Sequence, residues 1–303
     1  MPIEFTHIEH VAMGIEDAER QAEIFEGLFG FQRVDAWETD SERGILFAFG
    51  NSEVRWGVVQ PTSDGSALSA FLESPRGPGI HHVTFAVDDL HAARQELQAL
   101  GVRPSTRSTD RELIVSSSGA GEGVEIRFAL AKPRREEPTR ASAGGQSLGI
   151  VTLDHVCTAY PDRDTLSHHY GRLLGARQVW RTPDGAWPDF GDCILELPGQ
   201  QMHWEVIQPV GEESFITTFL ERRGPSVHHV AFEVADFDAA KRACEFHEVP
   251  TFDEHDDSTD GARWRDLFIH PKFTGGLLTQ LFWEEQPGVW ERSDKVRPEG
   301  FAG

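Results

Sequence analysis

The sequence predicts an α+β fold built as two tandem copies of one domain, and three observations carry that reading. The opening segment "IEHVAMGI", with His10, returns as "LDHVCTAY", with His155. The longer stretch "VRWGVVQP…SAFLESPRGPGIHHVTFAVDDL" returns as "MHWEVIQP…TTFLERRGPSVHHVAFEVADF". The offset barely changes along the repeat: 145 residues from His10 to His155, 148 from Trp56 to Trp204 and 147 from His82 to His229. A period this long exceeds a solenoid unit and marks duplication of a whole domain. At 303 residues, two compact domains are also the ordinary expectation.

Each copy opens on a β-rich segment, residues 5–15 and 151–160, followed by a helical stretch, "EDAERQAEIFEGLFGF" in the first and "DRDTLSHHYGRLLGA" in the second. Gly30 and Gly175 suit the left-handed position that ends a helix. Short alternating strands follow: "GILFAFG" with "EVRWGVVQP", and "DCILELPG" with "MHWEVIQP". A second β-start ("IHHVTFAV"; "VHHVAFEV") leads into a second helix ("DLHAARQELQALGV"; "DFDAAKRACEFHEV") and further strands. Each copy thus reads as two βαβββ modules. The expected division is a first domain at 1–131, a polar Gly/Ser/Pro-rich linker at 132–150, a second domain at 151–284 and a tail at 285–303. The tail has no clear period, and is either disordered or laid across a surface through Trp290 and Phe301.

Composition excludes several classes of function. A net charge of −22 repels nucleic acids and anionic membranes. No run approaches the roughly 18–20 apolar residues that cross a bilayer, and the N-terminus lacks a basic-then-apolar signal, so a cytoplasmic protein with no membrane partner is expected. Cys157, Cys193 and Cys244 are odd in number, all lie in the second half, and form neither a disulfide framework nor a thiolate metal motif.

The residues that carry chemistry lie on predicted strands, where alternate side chains share a face. His155 and His229 sit in two strand starts. Glu205 interrupts "MHWEVIQP" where the first copy has Gly57, and Gln280 lies in the apolar "TGGLLTQLFW". A lone strand histidine is more often a hydrogen-bonded structural residue, and a strand glutamate usually faces solvent. The recurrence of these positions within the repeat is what points elsewhere. Imidazole and carboxylate together suit one divalent ion: Fe, Mn, Co, Ni or Zn.

On these segments, with "FLERRGPSVHHVAFEVADFDAA" and "FIHPKFTGGLLTQL", the chain resembles the vicinal oxygen chelate superfamily (glyoxalase, bleomycin resistance and extradiol dioxygenase proteins). The second copy is most similar to methylmalonyl-CoA epimerase-like proteins. The resemblance implies a curved, partly open sheet around a metal and substrate crevice in each domain. It also implies metal ligation by His155, Glu205, His229 and Gln280.

Departures from the family pattern shape the functional expectation. In the first copy His10 and His82 match, but Gly57 replaces a ligand. The closing strand there offers Arg127 without a gap or Glu125 with one, so His10, His82 and Glu125 remain an open second site beside a degenerate, structural reading. In the second copy Gln280 stands where the family's closing glutamate often serves as ligand and base, and an amide accepts no proton near neutral pH. Ungapped alignment puts Ile194 at the family's other base. His203, two residues before Glu205 on the same face and matched by Arg55, is the candidate replacement base, with a pocket-lining role as its alternative. His270 in "FIHPKF" is expected to orient a turn.

The expected function is a divalent-metal-dependent enzyme that chelates a small-molecule substrate through neighbouring oxygens and uses Lewis-acid, enolate chemistry of isomerase, epimerase or lyase type. The alternatives are an Fe(II) extradiol-type ring-cleaving dioxygenase and a metal-free small-molecule binding or resistance protein. A homodimer is compatible with all three.

Overall fold

The computed structural model describes residues 1–117, 122–131, 146–211 and 213–290. The first copy runs β1 (His7–Gly14), α1 (Ala18–Gly27), β2 (Gln32–Glu38), β3 (Glu42–Ala48), β4 (Arg55–Pro61), α2 (Ala67–Glu73), β5 (Gly79–Val87), α3 (Leu90–Ala99), β6 (Glu112–Val115) and β7 (Glu125–Leu130). The second runs β8 (Ile150–Ala159), α4 (Arg163–Leu174), β9 (Arg177–Arg181), β10 (Phe190–Glu196), β11 (His203–Pro209), α5 (Phe215–Arg223), β12 (Ser226–Val234), α6 (Phe237–Phe246), β13 (Thr251–Thr259), β14 (Ala262–Ile269) and β15 (Leu278–Glu284). No described helix is long and apolar enough to cross a membrane.

The module reading is visible in the helix starts. Asp17, Asp89, Asp162 and Asp236 each cap the main helix of one module, with the side chain accepting from a backbone N–H two or three residues on. Gly175 ends α4 in the left-handed conformation at φ 71°, as its sequence position suggests. In the first copy α1 closes earlier, at Gly27 with Leu28 as cap, and Gly30 takes its positive φ of 72° in the following turn.

Each copy folds into one sheet. The orders are β2-β3-β4-β1-β5-β7-β6 and β13-β14-β15-β12-β8-β11-β10-β9, so the opening strands of the two modules pair in the middle. Among the described residues the first sheet has seven strands and the second eight. Residues 103–111 take the place of β13 without forming a strand. Pro104 has no N–H to give a ladder, and the segment is held beside β6 mainly by Ser105 N–H donating to the Ile114 carbonyl at 2.7 Å. Residues 132–145 of the expected linker and 291–303 of the tail, Phe301 among them, lie outside the described residues.

Alternation along the strands sends one set of side chains into a core that runs continuously through both copies. On β11, Trp204 and Val206 face that core while Glu205 and Ile207 face the opposite, concave side. Phe232 of β12 crosses the boundary, with ring centroids 5.6–6.0 Å from Phe29, Phe31, Phe49 and Trp56 of the first copy. Polar ties accompany it. Arg223 donates to the carbonyls of Pro75, Arg76 and Pro78 at 2.8–3.0 Å, and Gln21 donates to the Thr274 carbonyl at 3.1 Å.

Because the copies share this core, the chain is expected to unfold in a single denaturant transition monitored by far-UV dichroism. Phe232→Ala should cost about 3–5 kcal/mol, as other buried aromatic deletions do. Two separated transitions in the wild type would show instead that each copy stands alone.

Candidate metal centre in the second copy

The concave face of the second sheet encloses a cavity of about 580 Å³. Its floor is built from the three central strands. Pairing aligns Cys157 with Glu205 across β8 and β11, and His155 with Ala231 across β8 and β12. A bulge in β12 between Val227 and His229 lets two consecutive histidines, His228 and His229, both line the cavity. The result is a triangle: His155 Nε2, His229 Nε2 and Glu205 Oε2 each lie 3.3 Å from the other two.

A divalent ion fits this triangle. Ligands about 2.0–2.1 Å from the ion stand roughly 2.8–3.0 Å apart around an octahedral centre and about 3.3–3.4 Å apart around a tetrahedral one. Glu205 Oε2 is buried and makes no hydrogen bond of good geometry. Both imidazoles are held from behind. Asp154 Oδ2 lies 2.7 Å from His155 Nδ1, and His228 Nδ1 lies 3.0 Å from His229 Nδ1. These contacts leave Nε2 of each ring aimed at the common point, the arrangement that outer partners impose on metal-ligating histidines. Gln280 joins them from β15. Its amide nitrogen donates to Asp266 Oδ2 at 3.0 Å, and the side chain also contacts His229.

The electrostatics agree. Burial disfavours charge on His155, but Glu205 and the Asp154 hydrogen bond outweigh it and push the imidazole up to about 10. Burial lowers His229, and also works against Glu205, which the His155 charge nevertheless holds well below the usual carboxylate range. With no ion bound, the cluster therefore keeps one positive charge at its centre as a proton. Cys157 lies beneath Glu205, where burial and the carboxylate push its thiol well up, so it stays protonated and is a poor ligand.

Sequence reasoning missed Asp192. Ile194 lies opposite Glu205 on β10, but Asp192, two residues earlier on the same face, lines the cavity and contacts Glu205. Its Oδ1 is buried without a partner. Burial and the Glu205 charge push this carboxyl well above its ordinary range. Arg163 of α4 fixes the strand here, donating to the Asp192 carbonyl at 2.7 Å, and a Cβ on Gly191 would come within 2.8 Å of its guanidinium. The acidic residue was legible in "DFGDCILEL", but strict alignment on Ile194 hid it. His203, the expected base, starts β11 opposite Glu196 and is not among the residues lining the cavity. It shares the face of Glu205 and pairs with His155, yet lies outside the cavity lining. Trp290 of the tail is part of the cavity wall, stacked on His155 with centroids 5.6 Å apart and donating to Asp266 Oδ2 at 3.1 Å. His270 caps a short 3-10 turn, its Nδ1 accepting from Lys272 N–H at 3.2 Å.

The first copy keeps the imidazole pair, with His10 Nε2 and His82 Nε2 3.2 Å apart, but fills the rest of the crevice differently. His82 pairs with Glu125 and Thr84 with Arg127, just as His229 pairs with Leu278 and Ala231 with Gln280. Arg127 therefore occupies the place of Gln280, and Glu125 sits one face position away. The buried Arg127 guanidinium donates to both oxygens of Glu42 at 2.9 and 3.0 Å and to Glu125 at 2.8 Å, while Arg107 also binds Glu125. Burial, with the Arg127 charge nearby, pushes His81 down to about 4 and His82 well below its usual value. His81, His82 and Glu125 do approach one another closely enough to share an ion, but Glu125 is already committed to two guanidinium groups. Arg127→Met should cost about 3–5 kcal/mol in chemical denaturation, because it strands Glu42 as a buried charge and leaves Glu125 with Arg107 alone. A loss below about 1 kcal/mol would show that water reaches the network.

Comparison with known proteins agrees with the tandem fold. A family model described as the glyoxalase/bleomycin resistance protein/dioxygenase superfamily matches residues 9–115 and again 154–266. The mitochondrial methylmalonyl-CoA epimerase of Mus musculus is 30% identical over 171 residues, covering 56% of this chain and 93% of that protein. The ethylmalonyl-CoA/methylmalonyl-CoA epimerase of Cereibacter sphaeroides is 30% identical over 133 residues, 44% of this chain and 97% of the relative. Among solved structures, a mutant 4-hydroxymandelate synthase from Streptomyces coelicolor superposes with a TM-score of 0.69 at 16% identity, covering 93% of each chain, a likeness of fold alone. The matched segments span most of both sheets, and the chain belongs to the glyoxalase/bleomycin resistance protein/dioxygenase superfamily.

Proposed function

We propose that the second copy is the working half of a divalent-metal-dependent enzyme that binds a small substrate through neighbouring oxygens and moves a proton on it, in isomerase, epimerase or lyase chemistry. The observation that carries this is the 3.3 Å triangle of His155, His229 and Glu205 beside the unpartnered oxygen of Asp192. His155, His229, Glu205 and the Gln280 amide would hold Fe, Mn, Co, Ni or Zn. When bound, the ion supplies Lewis-acid polarisation of a carbonyl. The chain's own groups do the rest. Asp154 and His228 keep the two imidazoles aimed, Asp266 turns the Gln280 amide, and Asp192 gives or takes the proton at Oδ1. His203, on the same strand face as Glu205 but outside the lining, is the alternative proton carrier.

One observation favours a second reading. Two imidazoles and one carboxylate at the corners of a triangle are also the ligand set of non-haem Fe(II) oxygenases. An Fe(II) ring-cleaving dioxygenase would need no acid at Asp192 and would require oxygen.

Elemental analysis of protein purified without chelators should find one metal per chain. Glu205→Ala should lose it and Glu125→Ala should retain it, while equal loss in both variants would make the first copy a working site. Asp192→Asn should keep the metal yet slow deuterium exchange into substrate under nitrogen by about 10²–10⁴-fold. If the same slowing comes from His203→Gln and not from Asp192→Asn, the proton carrier is His203. Turnover only in the presence of oxygen would establish the dioxygenase reading.

A further inference from the structure

Beyond the triad, the cavity has a strongly one-sided chemistry. Eight of its twenty lining side chains are Trp or Phe, and none is Lys or Arg. Trp187 and Phe190 meet edge to face at 4.4 Å, with Phe215 of α5 beside Phe190 at 5.6 Å, and together they form one wall. Phe252 and Phe268, 5.9 Å apart on β13 and β14, belong to the strands at the opposite edge of the sheet. The floor between them is the metal triangle. The charged side chains of the lining other than Glu205 and the histidines are acids: Asp192, Asp253 and Asp266.

We infer that the substrate is a small aromatic molecule whose only negative charge is on the oxygens that chelate the metal. A flat ring standing on the triangle would gain aromatic contact on both faces, with ring pairs of this kind adding to simple apolar burial. A polyanion fares differently. An acyl-coenzyme A thioester carries phosphates for which the lining offers no basic side chain, in a protein whose net charge of −22 repels them. The inference rests on the metal-chelation reading for the orientation of the ring, and on the walls for its identity.

Three probes separate the possibilities in fluorescence titrations of the metal-loaded, full-length protein, read through the cavity tryptophans. Phenacyl alcohol carries neighbouring oxygens and a ring, hydroxyacetone the same oxygens without the ring, and malonyl-coenzyme A is the polyanion. Phenacyl alcohol is expected to bind about 30-fold or more tightly than hydroxyacetone, and malonyl-coenzyme A more weakly than either. Phe215→Ala, at a half-exposed helix position that the fold tolerates, should narrow the gap between the two ketones severalfold. Equal binding of the two ketones, or preferred binding of malonyl-coenzyme A, would overturn the inference. A ring preference that persists unchanged after chelator treatment and in Glu205→Ala would uphold the aromatic substrate class while removing the metal-chelation reading.

Discussion

The structure depends on the register of three strands. β8 lies between β11, to which it is parallel, and β12, to which it is antiparallel, and this arrangement alone brings His155, Glu205 and His229 to a common point. The side-chain period in a strand is two, so a slip of one residue in either pairing would turn a ligand into the core. Trp204 and Phe232, fully buried on the opposite face of the same strands, make that slip costly. The packing that joins the two copies and the register that assembles the metal triangle are therefore one constraint. Phe232 locks β12 against the first copy's phenylalanines, while His229 three residues earlier faces the cavity.

The two crevices solve the same electrostatic problem in different ways. In each, a pair of histidines and at least one carboxylate are buried together, and buried negative charge needs a cation nearby. The first copy supplies its own, the Arg127 guanidinium, tied to Glu42 and Glu125. Gly57 fits this arrangement. A Cβ there would come 3.1 Å from Ala12 and 3.4 Å from His10, and this position, which carries Glu205 in the second copy, brings no carboxylate to the imidazole pair. The second copy has no such arginine in its cavity lining. Its positive charge must come from a proton on His155 or from an added ion. Duplication has thus left one crevice self-neutralised and the other open to a ligand.

Much of this was legible in the sequence. The doubled text marked the fold, the two histidines and the Glu205/Gly57 mismatch, because a repeat compares each position with its own twin. Strand pairing also settles what spacing left open in the closing strand: Arg127, not Glu125, stands in the place of Gln280. Other features were invisible for identifiable reasons. Asp192 reaches the cavity because alternation makes residues two apart equivalent in direction, which a position-for-position alignment on Ile194 cannot show. His228 reaches it through a bulge that no periodicity rule anticipates. Trp290 was legible as an anchor for an aperiodic tail, but its place in the cavity wall comes from stacking on His155 and Phe282 and a hydrogen bond to Asp266, which no sequence pattern shows. His203 shares a face with Glu205 but is not part of the cavity lining, which alternation alone cannot tell.

The placement of the acids carries the last step. The family resemblance implies a glutamate on the closing strand, where this chain has Gln280, and its carboxylate stands instead on β11 as Glu205. The charged member of the cluster therefore lies beside Asp192, and the neutral amide lies beside Asp266. Asp266 is left as a scaffold, its oxygens taken up by His255, Gln280 and Trp290. Asp192 becomes the neighbour of an ionised group, and two carboxyls so close in a buried site hold one proton between them rather than ionise together. With Gln280 neutral and Glu205 charged, the buried carboxyl that contacts the charged member of the triangle is Asp192 on β10, on the side of the Trp187 and Phe190 wall.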